Sequence, residues 1–216
     1  MCGRFVLVTD LSEIAAEFDI GMAAAGRCGP GGYTPSWSIF PSQTVTAVIR
    51  KEGQNELFCL HWGLIPSWAK DASIGRKLNC ARAETVDTKP SFRSAFKKRR
   101  CLIVADGFYE WKAEGKKKTP AYFYLKSGCP FGFAGLYETW HAPDKTEVHT
   151  CAMITTEPNV LIQPIHDRMP VIVPKDRVDL WLNEKIEDPE ALLPILKPYP
   201  ADEMALKWGL GPGFKV

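Results

Sequence analysis

The sequence contains no apolar run long enough to cross a bilayer, so no membrane-spanning role is expected. It lacks a strong excess of either charge. Its 27 Lys and Arg against 25 Asp and Glu leave a formal net charge of +2, too little for a protein that coats nucleic acid by charge alone. Neither GxxxxGK[ST] nor GxGxxG occurs, so no phosphate-cradling loop is expected. There is no internal repeat and no low-complexity tract. The 7 cysteines, at positions 2, 28, 59, 80, 101, 129 and 151, are odd in number, never spaced CxxC, and preceded by no signal peptide. That pattern argues against a secreted disulfide framework and predicts reduced thiols in a cytoplasmic protein. Cys59, His61, His141 and His149 do not reproduce a zinc spacing, and no metal or cofactor is expected.

What is present is a core: 45% of the 216 residues are hydrophobic and 24% charged, enough to fold as one domain spanning 1–216. Short runs rich in β-branched and aromatic residues at 4–8, 45–50, 57–64, 77–82, 101–111, 121–126, 131–138, 148–156 and 170–173 predict strands. Helices are few. Asp10 and Glu13 form a capping box ahead of Leu11, Ile14, Ala15 and Phe18 at helical spacing, and Asp188-Pro189 opens another helix. Segments 91–96 and 175–182 are the remaining helical candidates. Many consecutive strands with segregated helices predict a mainly antiparallel α+β domain. Residues 21–35, rich in Gly, Ala and Pro, are expected to be a surface loop, and 201–216 a tail.

Three segments hold candidate chemistry. Removal of Met1 would make Cys2 an N-terminal cysteine, with a thiol and an α-amine on adjacent carbons and both reactive near neutrality. Such a pair condenses with an aldehyde to a Schiff base and then closes a thiazolidine ring. The alternative is that Cys2 packs as a small apolar residue. The run Cys101-Leu-Ile-Val-Ala-Asp106-Gly107-Phe108-Tyr109-Glu110-Trp111 ends in a carboxylate among aromatics, where Glu110 acquires a raised pKa unless a cation pairs with it. Ile165-His166-Asp167-Arg168-Met169-Pro170 sets a histidine between groups able to orient it, or is a plain surface turn. Around Trp68, and at Lys97-Lys98-Arg99-Arg100, rings and cations offer stacking and phosphate contacts for single-stranded nucleic acid, or a solvated face.

Together these segments resemble the SOS response-associated peptidase (SRAP) family, whose members shield abasic sites in single-stranded DNA. The resemblance rests on Met1-Cys2-Gly3-Arg4-Phe5, Trp62-Gly63-Leu64-Ile65-Pro66-Ser67-Trp68, Ala81-Arg82-Ala83-Glu84-Thr85, Ala105-Asp106-Gly107-Phe108-Tyr109-Glu110-Trp111 and Ile165-His166-Asp167-Arg168-Met169-Pro170, in that order. It implies a compact, barrel-like β core flanked by helices. It also implies that Cys2 attacks the open-chain aldehyde of an abasic site and ends as a thiazolidine DNA–protein crosslink. Glu110 would transfer protons during Schiff-base formation and reversal, and His166 would bond the sugar oxygen and assist ring opening. Arg4, Arg82 and Arg168 match positions near the DNA backbone, Trp68 an aromatic wedge, and Thr155 a minor polar contact.

The sequence departs from the family pattern in places. Asn79-Cys80-Ala81-Arg82 puts Cys80 where many members carry an asparagine that positions the crosslink, so either Asn79, through a bulge, or Cys80 fills that role. Trp37-Ser38 replaces a Tyr-Asn pair ahead of Pro41, and 201–216 diverges. Two other functions fit the same residues: a thiol (auto)peptidase using Cys2 with His166 and Glu110, and a non-catalytic single-stranded DNA-binding module. The expected partner is single-stranded DNA containing abasic sites. Nothing in the pattern indicates a coiled coil or a self-pairing face, so a monomer is expected.

Overall fold

The structure is a computed structural model that describes residues 3–21 and 32–211. In chain order its regular elements begin with β1 (Phe5–Leu7), α1 (Leu11–Glu17), β2 (Ser36–Ile39), β3 (Thr44–Lys51), β4 (Gln54–Trp62), β5 (Cys80–Arg82) and α2 (Arg93–Lys98). They continue with β6 (Arg100–Ala105), β7 (Gly107–Glu114), β8 (Lys117–Leu125), β9 (Phe131–His141), β10 (Glu147–Thr156), β11 (Met169–Pro170), α3 (Val178–Leu182), α4 (Pro189–Leu192) and β12 (Met204–Trp208).

β10, β4, β3, β6 and β9 pair in that order, and β9 pairs back onto β10, closing a five-stranded barrel. The ring is antiparallel except where β10 runs parallel to β4, a closure that the mainly antiparallel expectation did not specify. β6 shows why these residues make a barrel stave: all six of its residues are buried, so both of its faces carry apolar side chains. A second sheet, in the order β12-β8-β7-β1-β2, packs against the barrel. Phe5 and Phe108 of that sheet each place a ring centroid 5.8 Å from that of Phe133 on β9, and Phe5 also meets Trp62 at 5.3 Å. Edge-to-face and tilted packing of this kind adds to the burial of the rings themselves.

The stretch expected as one strand, 101–111, is two strands in two sheets. The break lies at Asp106, whose carboxylate accepts hydrogen bonds from the backbone of Val8 (2.6 Å) and Thr9 (3.0 Å) and from the Thr9 hydroxyl (2.7 Å). Gly107 follows without a side chain because a Cβ there would sit 2.4 Å from the Tyr122 hydroxyl. The expected strand at 77–82 is shorter, starting at Cys80 after a 3₁₀ turn over Ala72–Lys77. β2 and β12 were not anticipated. β12 means that the first part of the expected tail adds an edge strand to β8. Most of the expected loop, 22–31, lies outside the described residues, as does 212–216.

Two further expectations are corrected. Cys59 is disulfide-bonded rather than a reduced thiol, whereas Cys101, Cys129 and Cys151 are free. The basic cluster at 97–100 is not one solvated face. Arg100 is buried and donates to the carbonyls of Trp181, Phe96, Lys97 and Asn183, tying α2 to α3, and Arg99 pairs with Glu138 at 2.8 Å. No helix among the described residues is long and apolar enough to cross a membrane.

Candidate active site

Alternation along β7 sends Phe108 and Glu110 to one face and Tyr109 and Trp111 to the other. Phe108 packs on Phe133 of the barrel, so Glu110 is carried into the seam between the two sheets and is only 3% exposed. Burial pushes its carboxyl up to about 7, and the negative charge of Asp167 acts in the same sense. Oε1 of Glu110 is buried and has no hydrogen-bond partner among the described residues. A lone buried acceptor in a carboxyl that titrates near neutrality marks a site that expects another molecule.

His166 faces this carboxyl, its Nε2 lying 3.8 Å from Oε2 of Glu110. It sits on the loop between β10 and β11, whose first turn is pinned by Asn159. That side chain accepts from the backbone of Leu161 and Ile162 and donates to the carbonyl of Tyr199 at 2.7 Å. Nδ1 of His166 lies 3.0 Å from the Arg168 backbone N–H and 3.1 Å from the Arg168 carbonyl, so the Arg168 backbone anchors the neutral ring with its proton on either nitrogen. Burial holds the imidazole pKa below its ordinary value and favours this neutral form. Asp167, the acid next to His166 in this segment, lies 3.1 Å from Nδ1 and bears on both groups.

Two strands bring further residues to this seam. β1 runs antiparallel to β7 with Phe5 opposite Phe108, and Tyr109 donates to the Arg4 carbonyl at 2.8 Å. Continued by two residues, that register sets Gly3 across from Glu110. Arg4 itself lies over the rings of Phe40 (5.5 Å) and Trp111 (5.8 Å). The end of β10 holds β5 on one side and β11 on the other, with Thr155 aligned to Arg82 and to Pro170. Thr155, expected as a polar contact, is 1% exposed and gives its hydroxyl to the Ala81 carbonyl, so it holds β5 in place instead of presenting a surface group.

Cys80 is half-buried, and its thiol is pushed up to about 12 by burial, with the Glu110 carboxylate adding to the effect. It therefore stands within the electrostatic reach of Glu110. The carbonyl of Asn79 receives the Trp62 indole (2.8 Å) and the Met153 backbone (3.0 Å). Arg82 is exposed on the Cys80 face of β5. Arg168 makes a two-pronged pair with Glu84, at 2.6 and 3.0 Å, and gives a third hydrogen bond to the Thr155 carbonyl. Glu84, on a 3₁₀ turn directly after β5, carried no functional reading in the sequence.

Trp68 projects from the loop after β4 with 60% of its surface exposed. The loop is fixed by two glycines passing backbone to backbone, since a Cβ on Gly75 would meet the Gly63 carbonyl at 2.7 Å. The Ile65 N–H donates to the Thr150 hydroxyl, and the Trp140 indole donates to the Ala69 carbonyl at 2.7 Å. Cys2, the expected nucleophile, and Cys28 lie outside the described residues. Among the described residues, no group of three or more His, Cys, Asp or Glu side chains is arranged to hold a metal ion.

Comparison with known proteins places the chain in a family. Residues 1–208 match the family described as SOS response associated peptidase (SRAP). The chain is 47% identical over 205 residues to the abasic site processing protein YoqW of Bacillus subtilis, covering 94% of this chain and 90% of that protein. It is 30% identical over 221 residues to the abasic site processing protein HMCES of Xenopus tropicalis, covering 85% of this chain and 66% of that one. A crystal structure of a Bacteroides thetaiotaomicron protein superposes with a TM-score of 0.82 at 28% identity, over 96% of this chain and 91% of the other.

Proposed function

The chain belongs to the SRAP family, and on that premise we propose that it is a DNA-damage protein that binds single-stranded DNA and crosslinks itself to abasic sites through Cys2. The observation that carries this reading is Glu110, a buried carboxyl titrating near 7 with one oxygen unpartnered and a neutral imidazole opposite the other. Covalent geometry supports the choice of nucleophile. Gly3 falls opposite Glu110 in the β1–β7 register, and the Cα of Cys2 is about 3.8 Å from that of Gly3. The names of YoqW and HMCES support abasic sites as the substrate.

The chemistry then follows from the residues. With Met1 removed, the neutral α-amine of Cys2 adds to the open-chain aldehyde and gives a carbinolamine. Protonated Glu110 delivers a proton to the departing hydroxyl, water leaves, and an imine forms. The Cys2 sulfur adds to the imine carbon while its proton passes to the nitrogen, closing the thiazolidine with a net loss of one water. Glu110 near its midpoint at neutral pH gives the proton in one step and takes one in another. His166 hydrogen-bonds the sugar oxygen through Nε2 and assists ring opening. Arg4 and Arg82 supply guanidinium groups to the strand, Trp68 a stacking surface, and Cys80 stands in for the family asparagine at the crosslink.

Incubation with a single-stranded oligonucleotide bearing one abasic site tests the reading. A band that survives denaturation and is lost in Cys2→Ala supports it. Salt-sensitive binding with no such band leaves a non-catalytic binder, and Cys2-dependent peptide turnover without a band leaves a thiol peptidase.

A further inference from the structure

The Arg168 guanidinium is occupied, and the manner of its occupation is informative. Glu84 meets Nη1 and Nη2 with its two oxygens at 2.6 and 3.0 Å, the same fork that the two free oxygens of a phosphodiester would engage. The third hydrogen bond, from Nη2 to the Thr155 carbonyl at 2.6 Å, comes from the barrel and keeps the guanidinium in place whatever sits on the fork. The partners differ in exposure: the Arg168 side chain is 17% exposed and that of Glu84 52%. The carboxylate is therefore the partner that can swing into water, and the edge it covers opens toward solvent. Glu84 also stands two residues beyond Arg82, whose positive charge bears on it. The pair is adjacent to the chemistry as well, since the Arg168 backbone N–H fixes Nδ1 of His166.

Resting on the single-strand reading above, we propose that Glu84 is a built-in substitute for one backbone phosphate. It occupies the Arg168 fork in the DNA-free protein and is displaced by a phosphodiester when the strand binds. The contact sets the affinity for undamaged single strands, because every binding event must first expel a carboxylate. Release of that carboxylate exchanges one anion for another at Arg168, with no change in the residue's charge and no movement of the barrel.

The test is a double-mutant cycle on the full chain, with binding of a fluorescently labelled, undamaged single-stranded oligonucleotide read by anisotropy at low ionic strength. Glu84→Gln keeps the size and removes the charge. It is expected to tighten binding by roughly three- to tenfold, the scale of losing one partly exposed competing ion pair. In an Arg168→Gln background the same change is expected to give no gain. Thermal melts confirm that each variant is folded, and Glu84→Ala replaces Glu84→Gln if the latter does not fold. Unchanged or weaker binding in Glu84→Gln would make Glu84 a brace and overturn the proposal. An equal gain in both backgrounds would reduce it to general charge and also overturn it. If the wild type binds no single strand at all, the reading beneath falls, and the proposal with it.

Discussion

Nε2 of His166 lies 3.8 Å from Oε2 of Glu110, an imidazole that burial keeps neutral facing a carboxyl that burial has raised to about 7. The separation exceeds a direct hydrogen bond. The two shifts share one cause, the seam between the sheets. Desolvation favours the uncharged form of each, which raises an acid and lowers a base.

This pairing predicts a bell-shaped pH dependence for crosslinking. On the acid side the Cys2 amine is protonated and cannot attack, and below its lowered pKa the His166 imidazole becomes charged, so the rate falls. Above about 7 Glu110 loses the proton it must donate, so the rate falls on the alkaline side. Single-turnover rates across pH on an abasic oligonucleotide check both limbs. Glu110→Gln is expected to remove the alkaline limb and to lower the plateau by about a hundredfold or more.

The same carboxyl affects folding. Its folded pKa is raised, so the native state holds a proton that the unfolded state has lost between the ordinary carboxylate value and about 7. Stability therefore declines as pH rises through that window and does not return above it. Glu110→Gln should be more stable than wild type at pH 8 by about 1–3 kcal/mol, with the difference shrinking toward pH 4. Urea denaturation at the two pH values measures it.

Arg100 and its neighbours should separate structure from binding. Arg100→Ala leaves four carbonyls without their donor and is expected to cost about 3 kcal/mol or more. Lys97→Ala and Lys98→Ala, at exposed positions, should change stability by less than about 0.5 kcal/mol. Thermal melts of the three variants suffice.

Gly107 should tolerate no side chain. An added Cβ would lie 2.4–2.5 Å from atoms of the Tyr122 ring and hydroxyl, so Gly107→Ala must push the ring or the strand aside. We expect a loss of about 1–3 kcal/mol, read as a lower denaturation midpoint.

These contrasts mark what was legible in the sequence. Glu110 could be read as a buried acid because the apolar run before it and the aromatics around it announce burial within one strand. The barrel staves β3, β6, β9 and β10 announced themselves in the same way. The change of sheet at Asp106 was hidden, because its cause is three donors from Val8 and Thr9, nearly a hundred residues away. Arg99 and Arg100 read as surface charge for the same reason. The carbonyls and the carboxylate that hold them come from other elements, and adjacency in sequence carries no record of that. Glu84 sat inside a recognised motif yet was passed over, since its meaning lies in a partner, Arg168, that only the fold brings near.

The central claim is a covalent bond made by Cys2, and intact-mass spectrometry of the protein mixed with a single-stranded oligonucleotide bearing one abasic site tests it most directly. The predicted species has the mass of the chain without Met1 plus the oligonucleotide minus one water, and it does not form with an undamaged strand or with Cys2→Ala. Protein that has lost Met1 and stays unmodified, or an adduct that persists in Cys2→Ala, would contradict the account.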